Sequence, residues 1–186
     1  GRLDKQAEDR GRLNWSTDGW PLAIANPVLH SEREQLQGFL NGKMGITGST
    51  DAPLLNGDIQ MEEAVANSKA MGATLKFPQS QIRVEQNVLQ FDNYKITGAN
   101  KNPLHIDGNI DFKKLDKIVT DLRLYASAFQ PVKSARRTKA TVYGSFIADM
   151  DMAVNGPRDA LKIRGNVGLL TGTEVTYVMQ DSPFAL

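Results

Sequence analysis

The sequence predicts an all-β protein: an elongated, mostly antiparallel, curved sheet folded into a trough or solenoid-like shape with an apolar interior. Three observations predict it. Apolar and polar residues alternate over long stretches, and a period of two places the apolar residues on one face of a strand. Short clusters of Gly, Asn, Asp and Pro separate these stretches and suit tight turns. The third observation is a repeated glycine pattern inside the predicted strands.

The longest alternation runs from Ala140 to Gly156. Small or apolar residues occupy every second position, whereas Asp149 and Asp151 fall in the other phase. A buried helical stripe needs spacings of three and four, so the pattern predicts one long strand or a bent pair. At about 3.3 Å per residue a straight strand would span about 55 Å. Gly144 is the expected bend.

The same period predicts the other strands. They lie near Leu13, over 20–24 (closed by Pro27), 36–48, 55–61 and 71–77, around 82–84, 89–91 and 96–98, and over 104–112, 122–128, 161–169 and 175–179. Turns or loops are predicted at 49–53, 85–87, 92–93, 113–117, 130–138 and 157–159. Residues 62–69 are open to two interpretations, one helical turn or an irregular strand edge.

Length and composition indicate one β-rich domain over residues 1–186, with a frayed start over 1–16. Because the chain begins with Gly1, we expect a fragment of a longer protein or a removed leader. A net charge of +1 supplies no global field for nucleic acid. The apolar runs are far shorter than the ~20 residues that span a bilayer. Without cysteine, disulfides and thiolate chemistry are excluded, but cytosol and periplasm both remain open.

No catalytic residue, cofactor or metal site is predicted. His105 is out of phase with its apolar neighbours and is expected to face solvent, and His30 follows Pro27 in a loop. Asp149 and Asp151 share a polar strand face, which favours solvation over a calcium site. A hydrolase would need a nucleophile and base that the sequence does not provide, and His105 would be the residue to test.

Four basic residues mark the predicted loop after Gln130: Lys133, Arg136, Arg137 and Lys139. Such a loop can contact lipid phosphates or nucleic acid. Plain solvation of a hairpin loop is the interpretation we favour.

The glycine pattern reads apolar, any residue, Gly, any residue, apolar. It occurs over 40–44, 55–59, 106–110, 142–146 and 163–167. Each copy puts Gly on the apolar face between larger residues, which allows the sheet to curl or something to lie close to the backbone. Glycines that relieve crowding inside a conventional sandwich explain the spacing equally well.

Three runs carry a resemblance to a known family: KMGITGSTDAPLLNGDIQM after Gly42, LHIDGNIDF, and VYGSFIADMDMAVNGPRDALKIRGNVGLLTGTEVTYVM. Over residues 36–186 the chain resembles the C-terminal domain of the TamB (translocation and assembly module, AsmA-like) family. The resemblance implies a lengthwise-folded β-sheet with an apolar interior, in the periplasmic part of a protein anchored in the inner membrane outside this fragment. It also implies an Omp85-class (TamA-like) outer-membrane barrel as partner, and a role in outer-membrane biogenesis, protein secretion and phospholipid transport.

Together, pattern and resemblance predict a non-enzymatic groove that shields phospholipid acyl chains or unfolded outer-membrane protein strands. The predicted lining is Ile106, Ile110, Phe112, Val142, Phe146, Met150, Met152, Val154, Leu161, Ile163, Val167 and Leu169. The alternative is a structural β-solenoid or adhesin-like module with a sealed core. A homodimer formed through the groove or a sheet edge is a further expectation.

Overall fold

A computed structural model describes residues 13–24, 34–49, 52–68, 72–136 and 142–178. These residues form eleven strands and no α-helix, which confirms the all-β prediction. The strands are β1 Leu13–Pro21, β2 Glu34–Ser49, β3 Ala52–Ser68, β4 Ala73–Lys76, β5 Gln81–Glu85, β6 Val88–Thr97, β7 Pro103–Asp111, β8 Val119–Ser134, β9 Val142–Pro157, β10 Lys162–Leu169 and β11 Glu174–Tyr177.

Every strand pairing in the described residues is antiparallel, and the strands follow one another as a meander from β1 to β10. β4 and β5 lie end to end along one edge of β3, where Ser68 faces Ala73 and Gly57 faces Val84. Both strands pair with β3 in the same register, so β4 and β5 act as one strand that is interrupted at residues 77–80. β10 and β11 likewise lie end to end along one edge of β9.

The sheet closes on itself where β8 runs past the end of β7. Val132 of β8 pairs with Ala73 of β4, and this pairing closes a ring of six strands, β3, β5, β6, β7, β8 and β4. The tip of the β6–β7 hairpin is held there, because Ala99 N donates to Gln130 O at 2.7 Å. The predicted trough is therefore not confirmed, because this part of the sheet closes into a six-stranded barrel.

The closure depends on residues that the sequence assigned to a loop. β8 continues to Ser134 instead of ending near Ala128. Ala128 adopts φ 48°, and the register with β9 shifts on both sides of Phe129. These bulges bend β8 across the hairpin tip towards β4. The same bulges change the phase of the side chains, which is why the alternation in the sequence stops there.

The core of the ring is packed with side chains. Ile82 is 2% exposed and Tyr94 is 4% exposed, and they cluster with Ile96 and Ile106. Burial raises the pKa of the Tyr94 hydroxyl, which donates to Pro78 O at 3.4 Å. Burying each large apolar side chain contributes about 1.5–3 kcal/mol relative to exposure.

The long alternation of the sequence forms one strand, β9, over Val142–Pro157, as predicted; Ala140 and Thr141 lie outside the described residues. The phase is also as predicted. Ala148 is fully buried, whereas Asp149, Asp151 and Asn155 are exposed. β9 pairs with β8 along one edge and with β10 and β11 along the other.

Two local predictions change in the structure, and one open choice is resolved. Over residues 62–68 the chain forms the irregular strand and not the helical turn: β3 is continuous to Ser68, with Glu63 at φ 49° opposite a register shift in β2. The predicted turn at 92–93 is a bulge inside β6, where Asn93 has φ 47°. Trp20 does not start a second strand, because β1 runs unbroken to Pro21. Pro27 and residues 1–12 lie outside the described residues.

Asn87 ties together the turns at one end of the sheet, which we call the turn end. Its buried side chain accepts from Leu55 N at 2.6 Å and donates to Pro53 O at 2.8 Å. Its backbone carbonyl accepts from Phe112 N at 2.9 Å. The start of β3, the β5–β6 turn and the start of the β7–β8 loop are therefore held by one residue.

Candidate functional site: an apolar sheet face with an open edge

One face of the sheet, the inner face, carries apolar rows that cross several strands. Directly paired residues of antiparallel strands share a face. One row consists of Ile96, Leu104, Ala126, Met150 and Val167. A second consists of Tyr94, Ile106, Leu124, Met152 and Gly165. The rows lead from the closed core to the edge strand β10.

The predicted lining residues lie at three depths. Ile106 belongs to the core cluster of the ring, against Leu122 and Leu124. The seven residues of intermediate depth are half-buried: Ile110, Phe112, Val142, Phe146, Met150, Met152 and Val154. Leu161, which precedes β10, and Ile163, Val167 and Leu169 of β10 are exposed. The alternating pattern in the sequence locates the face but does not give this gradient.

The apolar side chains of β10 are the most accessible part of the inner face. Ile163 is 67% exposed, Val167 47% and Leu169 64%. They pair with Val154, Met150 and Ala148 of β9. The apolar surface therefore continues from buried to solvent-exposed positions without a change of face.

The opposite edge strand, β1, adds an aromatic patch that the predicted lining omits. Trp15 and Trp20 pack edge to face with ring centroids 5.4 Å apart, and Trp20 is 47% exposed. Trp15 pairs with Met44 and Trp20 with Leu40 on the inner face. The two tryptophans are five residues apart, a spacing that places them on opposite faces of a regular strand, and the bulge between Thr17 and Trp20 brings both to the same face. The sequence signal that could have identified this patch is the presence of two large apolar residues in one strand-like stretch.

The repeated glycines share one structural role. At Gly108, φ is +118° and an added Cβ would lie 2.2 Å from Asp121 O of the neighbouring strand. Gly57, Gly144 and Gly165 show the same relation, with φ between +120° and +153° and a carbonyl oxygen within 2.2 Å. The remaining copy differs: Gly42 has an ordinary φ, and an added Cβ there would lie 3.0 Å from its nearest carbonyl oxygen, that of Asp58. What lies close to the backbone at these notches is the adjacent strand.

The outer edge of β10 has no paired strand among the described residues. Just past β10, Leu170 N donates to Ile147 O at 3.0 Å. Hydrogen-bonded residues alternate along an antiparallel strand. The N–H and C=O groups of Ile163, Gly165, Val167 and Leu169 therefore point outwards. Such an edge can accept another strand.

The outer face is polar and internally paired. Arg123 donates two hydrogen bonds to Asp151, each 3.1 Å long, and lies 5.4 Å from the Tyr125 ring centroid. The hydrogen bond between them, and then their opposite charges, lower the pKa of Asp151 and raise that of Arg123. A hydrogen bond to Asp107 is the main cause that raises the pKa of Tyr125.

The titratable residues considered in the sequence have structural partners. His105 stacks on Tyr125 with centroids 4.9 Å apart, and its Nδ1 lies 2.5 Å from Asn93 Oδ1. Asp149 accepts from Ala128 N at 2.7 Å, which fixes the β8 bulge. Within the described residues, no group of three or more His, Asp or Glu side chains is placed to hold a metal ion. His30 lies outside them.

The predicted basic loop is described only in part. Lys133 and Arg136 are exposed at the end of β8 and just after it, whereas Arg137 and Lys139 lie outside the described residues. Across the part of the chain that the structure describes, no helix has the length and hydropathy to cross a membrane.

The fold and face define a class: an antiparallel β protein whose apolar face runs from a closed core to an edge strand with no paired neighbour among the described residues. The family model of the TamB C-terminal domain matches residues 92–184, 93 of the 186 residues. The chain belongs to the TamB C-terminal domain family. The matched region contains the second and third of the runs quoted above, and the first run precedes it. No curated protein and no solved structure matches the chain.

Proposed function

We propose that this domain shields hydrophobic cargo on its inner face, as a non-enzymatic module of an outer-membrane biogenesis machine. The observation that carries the proposal is the exposure of Ile163, Val167 and Leu169 in register with the buried part of the same face. Soluble domains seldom leave contiguous apolar surface uncovered unless it binds something. Family membership supports the same role.

The chemistry of the face suits long apolar ligands. Acyl chains lying along the rows would gain about 0.8 kcal/mol per buried methylene before ordering costs. An unfolded outer-membrane strand would use the same side chains and also the free backbone groups of β10. Phospholipid acyl chains and such strands are therefore the two candidate cargoes.

The proposed setting follows from the family. The domain would act in the periplasm, as part of a protein held in the inner membrane by a segment outside this fragment. An Omp85-class outer-membrane barrel is the proposed partner of the whole protein. The competing proposal, a structural module with a sealed core, differs in one measurable way: it leaves no apolar surface for a ligand.

The test compares two substitutions on β10. Ile163→Asp introduces a charge on the inner face, and Asn166→Asp introduces the same charge on the outer face three residues away. Both positions are exposed, so the fold should tolerate both, although Asn166→Asp places a carboxylate opposite Asp151 and should lower the urea midpoint slightly. Phe146 and Met150 are less suitable because they are half-buried. We expect Ile163→Asp to weaken binding of a fluorescent zwitterionic phospholipid at least about ten-fold, and Asn166→Asp to leave it nearly unchanged.

Circular dichroism and the urea midpoint check that both variants are folded. If the native wild type binds neither the phospholipid nor a hydrophobic dye, the sealed-core module is correct and the groove proposal fails. Equal binding by the wild type and Ile163→Asp would also refute it.

A further inference from the structure

A basic and apolar tip projects from the turn end of the sheet. It consists of the β7–β8 loop, residues 112–118, and the β9–β10 turn, residues 158–161. Leu115 is 78% exposed, the highest value among the exposed large hydrophobic side chains of the described residues. Lys113, Lys114 and Lys117 surround it in sequence, and all three are exposed.

The backbone holds this tip in a defined shape. Lys117 N donates to Lys114 O at 2.9 Å, which closes a turn with Leu115 and Asp116 at its apex. Lys113 N donates to Asp111 Oδ1 at 2.9 Å. Phe112 N donates to Asn87 O, so the start of the loop is fixed to the buried residue that also holds the start of β3. The exposed leucine is therefore presented by an ordered turn.

The β9–β10 turn lies beside the loop and repeats its composition. Arg158 N donates to Ile118 O at 2.9 Å, and Ala160 N donates to Pro157 O at 2.9 Å. Leu161 follows at 46% exposure, and Lys162 begins β10. The two connections present two exposed leucines among four cations, and Lys162 at the start of β10 adds a fifth. The three nearby carboxylates are those of Asp111, Asp116 and Asp159, and Asp111 is already paired with Lys113 Nζ at 3.4 Å.

Leucines that project beyond a ring of cations fit the surface of an anionic bilayer. The apolar side chains enter the boundary between headgroups and acyl chains, while lysine and arginine stay at the level of the lipid phosphates. Each cation near such a surface strengthens binding by a factor of about five. A protein partner would need a larger apolar contact than two isolated side chains provide.

We propose that this tip docks the domain onto a bilayer surface that contains anionic lipids. The docking surface adjoins the inner face at Phe112 and Leu161, but Leu115 and the three lysines lie in the β7–β8 loop, outside the strands that carry the apolar rows. Cargo held on the inner face would thus be presented next to a membrane.

The experiment is flotation of the whole chain with phosphatidylcholine vesicles that contain a minority of phosphatidylglycerol, compared with pure phosphatidylcholine. We expect the wild type to float with the anionic vesicles at about 0.15 M salt and to be released at about 1 M. Leu115→Glu should weaken binding at least about ten-fold. Reversal of Lys113, Lys114 and Lys117 to Glu should weaken it about a hundred-fold or more.

The matched control reverses three exposed cations away from the tip, Lys101 of the β6–β7 turn, Lys133 of β8 and Arg136 just after β8. It changes the net charge by the same amount and should retain most of the binding. The proposal is overturned if the wild type does not float, if it floats equally with neutral vesicles, or if the control loses as much binding as the tip variants. A tip that binds a protein instead of lipid would give the first of these results.

The docking and cargo proposals fail separately. The tip variants should still bind the fluorescent phospholipid monomer on the inner face, and Ile163→Asp should still float with anionic vesicles. If Ile163→Asp abolished flotation while Leu115→Glu left it intact, the inner face would be the membrane contact and the tip proposal would be wrong.

Discussion

Replacing Gly108 by alanine tests whether the recurrent glycines are what allows the strands to pair as they do. Gly108 lies at the centre of the ring, on β7, in a backbone conformation that residues with a side chain rarely adopt. An added Cβ would be 2.2 Å from Asp121 O and 3.1 Å from Leu122 Cα of β8. Both neighbours are backbone atoms, so no side-chain rotation can relieve the contact.

The cost has two parts. Holding a non-glycine residue in this region of φ costs about 1–3 kcal/mol. Restoring ordinary van der Waals contact at 3.4 Å requires the Asp121 carbonyl to move by about 1.2 Å, which weakens a ladder hydrogen bond worth about 1 kcal/mol. We expect Gly108→Ala to lower the free energy of unfolding by about 3 kcal/mol. With a urea m-value of about 2 kcal/mol/M, the midpoint falls by about 1.5 M.

Gly168→Ala is the matched control for this change. Gly168 itself does not have a positive φ, and its added Cβ would meet nothing closer than Asp149 Cβ at 4.0 Å. The free energy of unfolding of Gly168→Ala should stay within about 0.5 kcal/mol of the wild type, since alanine also reduces the entropy of the unfolded chain. If Gly108→Ala is as stable as Gly168→Ala, the close approach of the strands is not the reason for glycine there.

Two further predictions concern the turn end and the outer face. Asn87→Ala should lower the free energy of unfolding by about 3 kcal/mol, because it leaves Leu55 N and Pro53 O without their hydrogen-bond partner and puts alanine at a φ of +64°. Asn87→Gly loses the same hydrogen bonds but tolerates that φ, so it should be destabilised less in the same urea titration. Equal losses for the two variants would contradict a backbone contribution. In Arg123→Gln, NMR titration should show the pKa of Asp151 rising towards its ordinary value. A lowered carboxyl pKa stabilises the fold above its unfolded-state value and stops doing so as the pH falls through the folded-state value, so the stability difference between wild type and Arg123→Gln should shrink in acid; an unchanged pKa would contradict the pairing.

Local regularity decided which parts of the fold could be predicted from sequence. β9 kept a strict period of two, so its existence and its buried phase, with Ala148 inside and Asp151 outside, followed directly. β8 could not be followed past Ala128 because each bulge inserts a residue and moves the later side chains to the other phase. Pro131 and Lys133 then resembled a loop although both lie in the strand.

The sequence predicted which residues share the apolar face but not which of them are exposed to solvent. The alternation placed Ile106 and Ile163 together, yet one lies in the core and the other at the edge. That difference depends on the pairing of Ala73 with Val132, residues far apart in sequence. No periodicity in a single strand encodes which of its neighbours will be covered. Leu115 was missed for a related reason, since a lone leucine in a polar loop carries no pattern.

The pairing of Ala73 with Val132 also has a kinetic consequence. It closes a chain segment of about sixty residues, and a contact between residues so far apart in sequence loses loop-closure entropy before its interactions stabilise the fold. The β6–β7 hairpin, with its short tip at 98–102, requires much less and can form first. Ring closure is therefore the expected late step of folding. Until it occurs, the side chains around Ile82 and Tyr94 remain open to water and to other unfolded chains.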